Sequence, residues 1–548
     1  MGIPSYFSYI IKNYPKIVSN LKIHIKNKTL FDNLYMDCNS IIYDSIQKII
    51  EYENIADFEK KLINNVILSI ENYIQKINPI NTIFIAFDGV APFAKMNQQK
   101  TRRYKSAFMS NLNYINKKDD HDIKNTNPTN PKKLNWSTSN ITPGTHFMDN
   151  LSMKINDYFK YSEKKYNVKK IIVSGSDEVG EGEHKIFKYI RENPNMNENM
   201  ILYGLDSDLI MLSIFHTHLF KNGYIFREAP EFIKSSIELE NYEENKNEPY
   251  VLDIELLCNY ILSEMNCKFS EKRRVYDYVF LCFFLGNDFL PHFPALNIRT
   301  HGIPVLLDIY TENLGKYNDR YFISNKNTIQ WKYVKMYVKE LAKKEHSFLL
   351  TEYSLRKKND SREWKNVTEK DREYLFNSLP IIYRAEENYI CPSEKMWEER
   401  YYKSLFNLEK NENNIKNICN NYLEALEWVY YYYSSECKNW KWTYEYHYPP
   451  LLMDLQNYIP DFETEFLMDN LRTFAYSPYV QLAYVLPKEQ LNLLPIKHQK
   501  YLLKNYKHFY KDKIKFKWAF CRYFWEAHVD FENIPINILE KWEVDLVK

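Results

Sequence analysis

The sequence predicts an α/β fold: a parallel sheet with flanking helices, and a second, mainly helical region packed on it. Three observations lead there. Four short apolar runs, at 33–36, 82–87, 170–174 and 200–203, have the length and side chains of strands. Segments of helical period separate them, at 40–55, 58–77, 147–166 and 184–192, and such alternation argues a parallel sheet. Beyond residue 376 the chain becomes helix- and aromatic-rich.

In order, residues 1–19 read as an amphipathic helix after Pro4, with Tyr6, Phe7, Tyr9, Ile10 and Ile11 apolar. The first strand stops at Asp37 and the second at Asp88. The third leads through Gly175 into Gly180-Glu-Gly-Glu183, and the fourth to Asp206 and Asp208. Ligands of an open parallel sheet bind outside the carboxyl ends of its strands. One Asp after a strand is ordinary turn chemistry. Acids after four strands in succession converge on one place, where their repulsion is costly without cations. An apolar helical stretch, 273–285, then breaks at Gly286-Asn-Asp288. The candidate catalytic and metal site is therefore Asp37, Asp88, Glu181, Glu183, Asp206, Asp208 and Asp288. Oxygen ligands suit Mg²⁺, two ions being expected and Mn²⁺ a substitute. Asp177 and Glu178 read as solvated charges.

A basic segment follows Asp88: Lys95, Lys100, Arg102, Arg103 and Lys105, with no acid among them. Such runs are usually solvated faces. Here Lys95, Gln99, Arg102 and Arg103 fall at i, i+4, i+7 and i+8, one face of a helix. An ammonium, an amide and two guanidinium forks suit a terminal phosphate dianion. Lys100 and Lys105 point elsewhere and read as charges for the backbone of a phosphorylated polymer or as solvated lysines.

The wording of these segments is more specific than their charge. DGVAPFAKMNQQKTRRYKSA (88–107), Leu34-Tyr-Met-Asp-Cys-Asn39, Val179-Gly-Glu-Gly-Glu-His-Lys185, Leu205-Asp-Ser-Asp-Leu-Ile-Met211 and Leu285-Gly-Asn-Asp-Phe-Leu-Pro291 resemble the acidic and basic blocks of the Xrn family of 5′→3′ exoribonucleases. The resemblance implies a PIN-like catalytic region and 5′-phosphate binding by Lys95, Gln99, Arg102 and Arg103. It also implies processive hydrolysis of 5′-monophosphorylated single-stranded RNA to mononucleotides. Bases in that family stack between aromatic groups, one commonly a His six residues after the first acid. Tyr43 stands there in this sequence, and tyrosine can stack but cannot titrate near neutrality. Cys437-Lys-Asn-Trp-Lys-Trp-Thr-Tyr-Glu-Tyr-His-Tyr-Pro449 resembles the block that supplies the other ring, from Trp440 or Trp442. Ser477-Pro-Tyr-Val-Gln-Leu-Ala-Tyr-Val-Leu-Pro487 resembles a further block, so the likeness spans both conserved regions of a short form. Two rival readings are a structure-specific 5′ flap or DNA exonuclease and a catalytically inactive RNA-binding scaffold. Flap nucleases typically carry a Gly-Ile-Gly motif after the last acid, and 293–303 has none. All seven acids being present speaks against the scaffold.

The expected organisation is a catalytic region at 1–350 with an exposed loop near 111–140, a charged linker at 351–375, and a second conserved region at 376–548. A further acidic loop is expected at 238–248 and a helix at 303–317. The net charge of +2 over 548 residues is compatible with RNA if the acids and bases are segregated. It argues against a protein that coats nucleic acid non-specifically. Eight cysteines without a CxxC pair fit reduced thiols in an intracellular protein and disfavour zinc. No signal-peptide core or membrane-length apolar run is present. The expectation is a monomer, cytoplasmic in preference to nuclear, with single-stranded RNA as partner.

Overall fold

The computed structural model describes every residue except 1, 122–135, 205, 229–248, 468–472, 512 and 548. Its centre is a seven-stranded sheet in the order β1-β7-β6-β5-β2-β3-β4. The strands are β1 (Val18–Asn20), β2 (Asn33–Asp37), β3 (Thr82–Ala86), β4 (Lys170–Ser174), β5 (Asn195–Tyr203), β6 (Phe220–Arg227) and β7 (Tyr250–Asp253). β4, β3, β2, β5 and β6 run parallel, and β7 and β1 close one edge antiparallel. The four expected strands are thus contiguous.

Two features of this sheet position the site. The order reverses at β2, because β3 lies on one side of it and β5 on the other. That switch point opens a crevice at the carboxyl ends. The registers are also flush: Asp37 pairs with Ala86, Ala86 with Ser174, and Met36 with Tyr203. Acids that follow different strands therefore emerge at one level.

The helices before the site are α1 (Tyr6–Asn13), α2 (Leu21–Lys26), α3 (Asn39–Gln47), α4 (Ile55–Ile77), α5 (Phe93–His121), α6 (His146–Phe159) and α7 (Glu163–Tyr166). α8 (Gly182–Glu192) and α9 (Ser207–Phe215) follow. Several depart from expectation. The N-terminal helix stops at Asn13, because Pro15 disfavours helix at Tyr14, and residues 18–20 become β1. The helix expected at 40–55 ends at Gln47, and 147–166 divides into α6 and α7 around Tyr161, whose φ is +63°. The loop expected from residue 111 is helical as far as His121, and most of the remainder lies outside the described residues. The acidic loop at 238–248 lies outside them too.

Residues 273–285 form a helix, Arg274–Cys282, and a 3-10 turn, Phe283–Leu285. The helix expected at 303–317 runs Gly302–Tyr310 and ends in a π turn, Thr311–Gly315. Of the charged stretch 351–375, residues 351–357 complete the helix Trp331–Lys357, and 369–375 belong to Glu369–Asn377. The principal core crosses this stretch, joining Tyr6, Leu202 and Phe284 to Tyr422 and Trp428. Trp428 lies on the helix Glu412–Ser434, which is buried along most of its length.

Candidate active site

The acids gather because of where strands end and helices begin. Asp37 closes β2, and Asp88 lies two residues beyond β3. Glu181 and Glu183 sit at the start of α8, and Asp206 and Asp208 at the start of α9. A helix N-terminus favours a carboxylate by about 0.3–1 kcal/mol, which offsets part of the repulsion and not all of it. Asp288 follows a turn at Gly286, whose φ is +81° and where a Cβ would come within 2.6 Å of the His292 amide nitrogen. That geometry requires glycine.

All seven expected acids enter one electrostatic neighbourhood. Burial, then Asp88 and Asp206, push the Asp37 carboxyl well above its usual range. Burial and Glu181 raise both Asp88 and Glu183. Burial lifts Asp208 to about 6, with Asp288 adding to the rise. Burial would raise Asp288 too, but the Lys95 ammonium overrides it and holds the group below its ordinary value.

The carboxylates differ in what they touch. Asp88 accepts from the Gly182 amide at 2.8 Å through Oδ1 and from Asn39 through Oδ2. Glu181 accepts from the Tyr432 hydroxyl at 2.6 Å through Oε1 and meets Lys95 Nζ at 2.6 Å through Oε2. Asp37 Oδ1 is buried without a hydrogen-bond partner. Two groups have the spacing of a metal site, Asp37 with Asp88 and Glu183, and Glu181 with Glu183 and His184. A buried, unpartnered carboxylate oxygen among raised acids fits a divalent cation. His184, which sequence reading did not select, is kept neutral by burial and by Lys95, the form in which imidazole ligates.

The basic face abuts this cluster. Lys95 Nζ bridges Glu181 and Asp288, at 2.6 and 2.9 Å. Arg102 is exposed, and its charge helps lower Asp288. Arg103 donates through one terminal nitrogen to Thr142 Oγ1, while its Nε is buried without a partner. Gln99 Oε1 accepts from Gln481 Nε2 at 3.3 Å, and Gln481 Oε1 in turn accepts from the Ala91 amide. Tyr43 is 44% exposed, and its hydroxyl lies close enough to influence Arg103.

The two tryptophans part company. Trp442 is 8% exposed and stacks on Trp428 at 5.3 Å, so it packs the core and is not placed to stack on a base. Trp440 is half-buried, and its carbonyl accepts from the Phe93 amide at the start of α5. Lys100 also departs from expectation. It is neither solvated nor placed for RNA, but buried with Nζ 4.4 Å from the Tyr484 ring centre and 4.6 Å from that of Phe531. Lys105 binds the Trp525 and Ala527 carbonyls.

Sequence reading missed Asn39, Gln481, Tyr432 and Tyr433 as neighbours of the site. The last two had a signal. Four consecutive tyrosines, 430–433, inside a helix present phenols in every direction, and a buried phenol usually finds a partner.

Two family models match the chain. A family model described as the XRN 5′-3′ exonuclease N-terminus matches residues 1–229, and one described as the Xrn1 helical domain matches 268–396 and 383–534. The chain belongs to the Xrn family. Its relatives include 5′-3′ exoribonuclease 1 of Saccharomyces cerevisiae, 28% identical across 90% of this chain and 40% of the relative. The human enzyme of that name is 27% identical across 91% of this chain and 31% of its own length. 5′-3′ exoribonuclease 2 of Debaryomyces hansenii is 25% identical across 90% of this chain and 64% of its own. The chain thus spans less than two thirds of the length of these Xrn proteins. Among the described residues, no helix is long and apolar enough to cross a membrane.

Proposed function

We propose that this chain is a 5′→3′ exoribonuclease that hydrolyses 5′-monophosphorylated single-stranded RNA processively to mononucleotides, using two divalent cations, Mg²⁺ or Mn²⁺. The observation that carries this reading is Lys95, whose ammonium joins the acidic cluster to the helix face that bears Gln99, Arg102 and Arg103. Similarity to relatives named 5′-3′ exoribonuclease supports the same reaction class.

Asp37, Asp88 and Glu183 would hold one cation, and Glu181, Asp206, Asp208 and Asp288 would complete the site. Bound there, a divalent ion supplies Lewis acidity at the scissile phosphate and lowers the pKa of its water. The protein's own part is positional. Arg102 and Arg103 offer forked donors to a terminal phosphate, and Arg103 has an unmatched Nε to contribute. Lys95 adds charge at the boundary between that phosphate and the acids. With one end anchored beside the carboxylates, the first internal phosphodiester falls at the acidic cluster, which sets polarity. Tyr43, exposed beside Arg103, and Trp440, half-buried with its carbonyl accepting from the Phe93 amide, are the rings offered to stacked bases.

The deciding experiment is one digestion series in Mg²⁺, with 5′-monophosphate, 5′-hydroxyl, 5′-triphosphate and capped forms of one RNA and the matching DNA. Rapid conversion of the monophosphate RNA alone to mononucleotides is expected, without released intermediates. Asp206→Asn should abolish hydrolysis and leave RNA binding largely intact. Equal cleavage of every 5′ end would sink the phosphate reading. Absence of hydrolysis by both proteins would favour a scaffold, and preference for DNA a flap-type nuclease.

A further inference from the structure

We propose that Tyr432 and Tyr433 are positioning residues: their hydroxyls hold Glu181 and Asp208 in the orientation in which the acidic cluster takes divalent cations. The helix Glu412–Ser434 of the second region would thereby complete a site whose acids all come from the first. The proposal rests on the cation-dependent nuclease reading above.

Successive positions on an α-helix point about 100° apart, so two adjacent side chains can reach two different acids. Tyr432 OH donates to Glu181 Oε1 at 2.6 Å, and Tyr433 OH donates to Asp208 Oδ1. Both phenols are buried, at 2% and 1% exposure. Neither ring is free to turn away. Tyr432 stacks on Trp428 at 4.7 Å on one side and on His184 at 3.7 Å on another, and the edge of Phe289 meets it at 5.4 Å. Tyr433 packs against Phe283 at 5.5 Å. The rings are therefore fixed by apolar contact that phenylalanine could supply equally. What tyrosine adds is one O–H aimed at each acid. Each phenol gives its single O–H to the carboxylate oxygen it faces.

The pattern of partners gives these two bonds a specific purpose. Glu181 has both oxygens engaged, Oε1 by Tyr432 and Oε2 by Lys95. Asp88 has both engaged, by Gly182 and Asn39. Asp37, by contrast, keeps a buried oxygen unmatched. The surrounding donors thus fix the rotation of Glu181 and Asp88 and leave an oxygen of Asp37 open to a cation. Groups that orient metal-binding carboxylates from behind typically matter by about 10–100-fold in affinity or rate.

Tyr430 supplies the control. It lies on the same helix, is equally buried, and its hydroxyl donates to the Asn327 carbonyl at 3.1 Å, remote from the acids. The experiment compares Tyr432→Phe, Tyr433→Phe and Tyr430→Phe with the parent chain. Mn²⁺ binding is followed by the electron paramagnetic resonance of free Mn²⁺, thermal unfolding without cation, and single-turnover cleavage over a range of Mn²⁺. Tyr432→Phe and Tyr433→Phe should each weaken Mn²⁺ binding about 10-fold or more. Their cleavage should fall at limiting Mn²⁺ and recover in part when the cation is raised. Tyr430→Phe should move only the unfolding midpoint. If Tyr432→Phe does not fold, Tyr433→Phe carries the same test through Asp208. Mn²⁺ isotherms equal to the parent's, tighter binding, or an equal loss in Tyr430→Phe would overturn the proposal while leaving the nuclease intact. A parent that takes up no Mn²⁺ would overturn the underlying reading as well.

Discussion

Asp37 is held in a conflict between its burial, its charged neighbours and an unmatched oxygen. Its carboxyl is pushed up by burial and by Asp88 and Asp206, and one oxygen lacks a partner. An acid whose folded pKa is raised loses stability as pH climbs from the unfolded value through the folded one. Asp37→Asn, neutral at every pH, should therefore stabilise the cation-free protein at pH 8 by about 1–3 kcal/mol, with a smaller gain near pH 5. If Asp37 ligates a cation as proposed, the order should reverse in saturating Mg²⁺, because the variant would lack a ligand. Denaturant melts at both pH values, with and without Mg²⁺, check this. Gly182 sets a second contest. As the first residue of α8 it should benefit from alanine by up to about 1 kcal/mol of helix propensity. Yet a Cβ there would stand 2.6 Å from Asp37 Oδ1. Displacing a reacting group by about 1 Å can cost about 100-fold in rate. Gly182→Ala should consequently fold with near-parental stability and cleave about 100-fold more slowly, a separation that parallel melts and single-turnover rates would reveal.

Among the elements, α5 shows how one helix carries two kinds of cation. Lys95 on this helix meets the acids and Arg103 meets Thr142, while Gln99 meets Gln481 and Arg102 is exposed. Lys100 turns away and is buried between Tyr484 and Phe531, where desolvation lowers its ammonium to about 7. A lysine with a depressed folded pKa leaves the native state short of a proton between about 7 and its unfolded value, so stability rises with pH across that interval. Lys100→Met should stabilise the protein at pH 6 and flatten that rise. The gain should stay near 1–3 kcal/mol, because the two rings already repay part of the desolvation, each by about 1–2 kcal/mol. Urea midpoints at pH 6 and 9 measure it. The four contiguous strands β5, β2, β3 and β4 were legible because each contains an apolar run with acids following it. β6, with Lys221, Asn222 and Gly223 inside it, and β1, three residues long, carry no such pattern. The acids and the basic face were legible from spacing and wording. Gln481 was not, and Tyr432 was legible only as a phenol in want of a partner, since their contacts span 382 and 251 residues of sequence and nothing local names a partner so distant.

At the scale of the whole molecule, two regions far apart in sequence build one buried acidic centre, and its protonation is coupled to folding. Asp37, Asp88 and Glu183 are raised, and Asp208 stands at about 6. The cation-free native state therefore holds protons that the unfolded chain releases by about pH 5. Each excess proton lowers stability by about 1.4 kcal/mol per pH unit as pH rises. Asp277, Glu345 and Glu427, raised to about 6, 8 and 7 by burial elsewhere, act in the same direction whether or not a cation is present. The slope of stability with pH alone therefore cannot isolate the site, whereas the difference made by a cation can. A divalent cation bound there would have to displace protons from its carboxylates, so its apparent affinity should rise with pH. The stabilisation it confers, about 2.7 kcal/mol at one hundred times its Kd, should be reached at lower concentration at pH 8 than at pH 6. Calorimetric titrations in two buffers of different ionisation enthalpy should report net proton release at pH 6. Cation binding without proton release at pH 6 would mean that these acids are already ionised in the folded chain, and that Lys95 and the surrounding donors neutralise the cluster unaided.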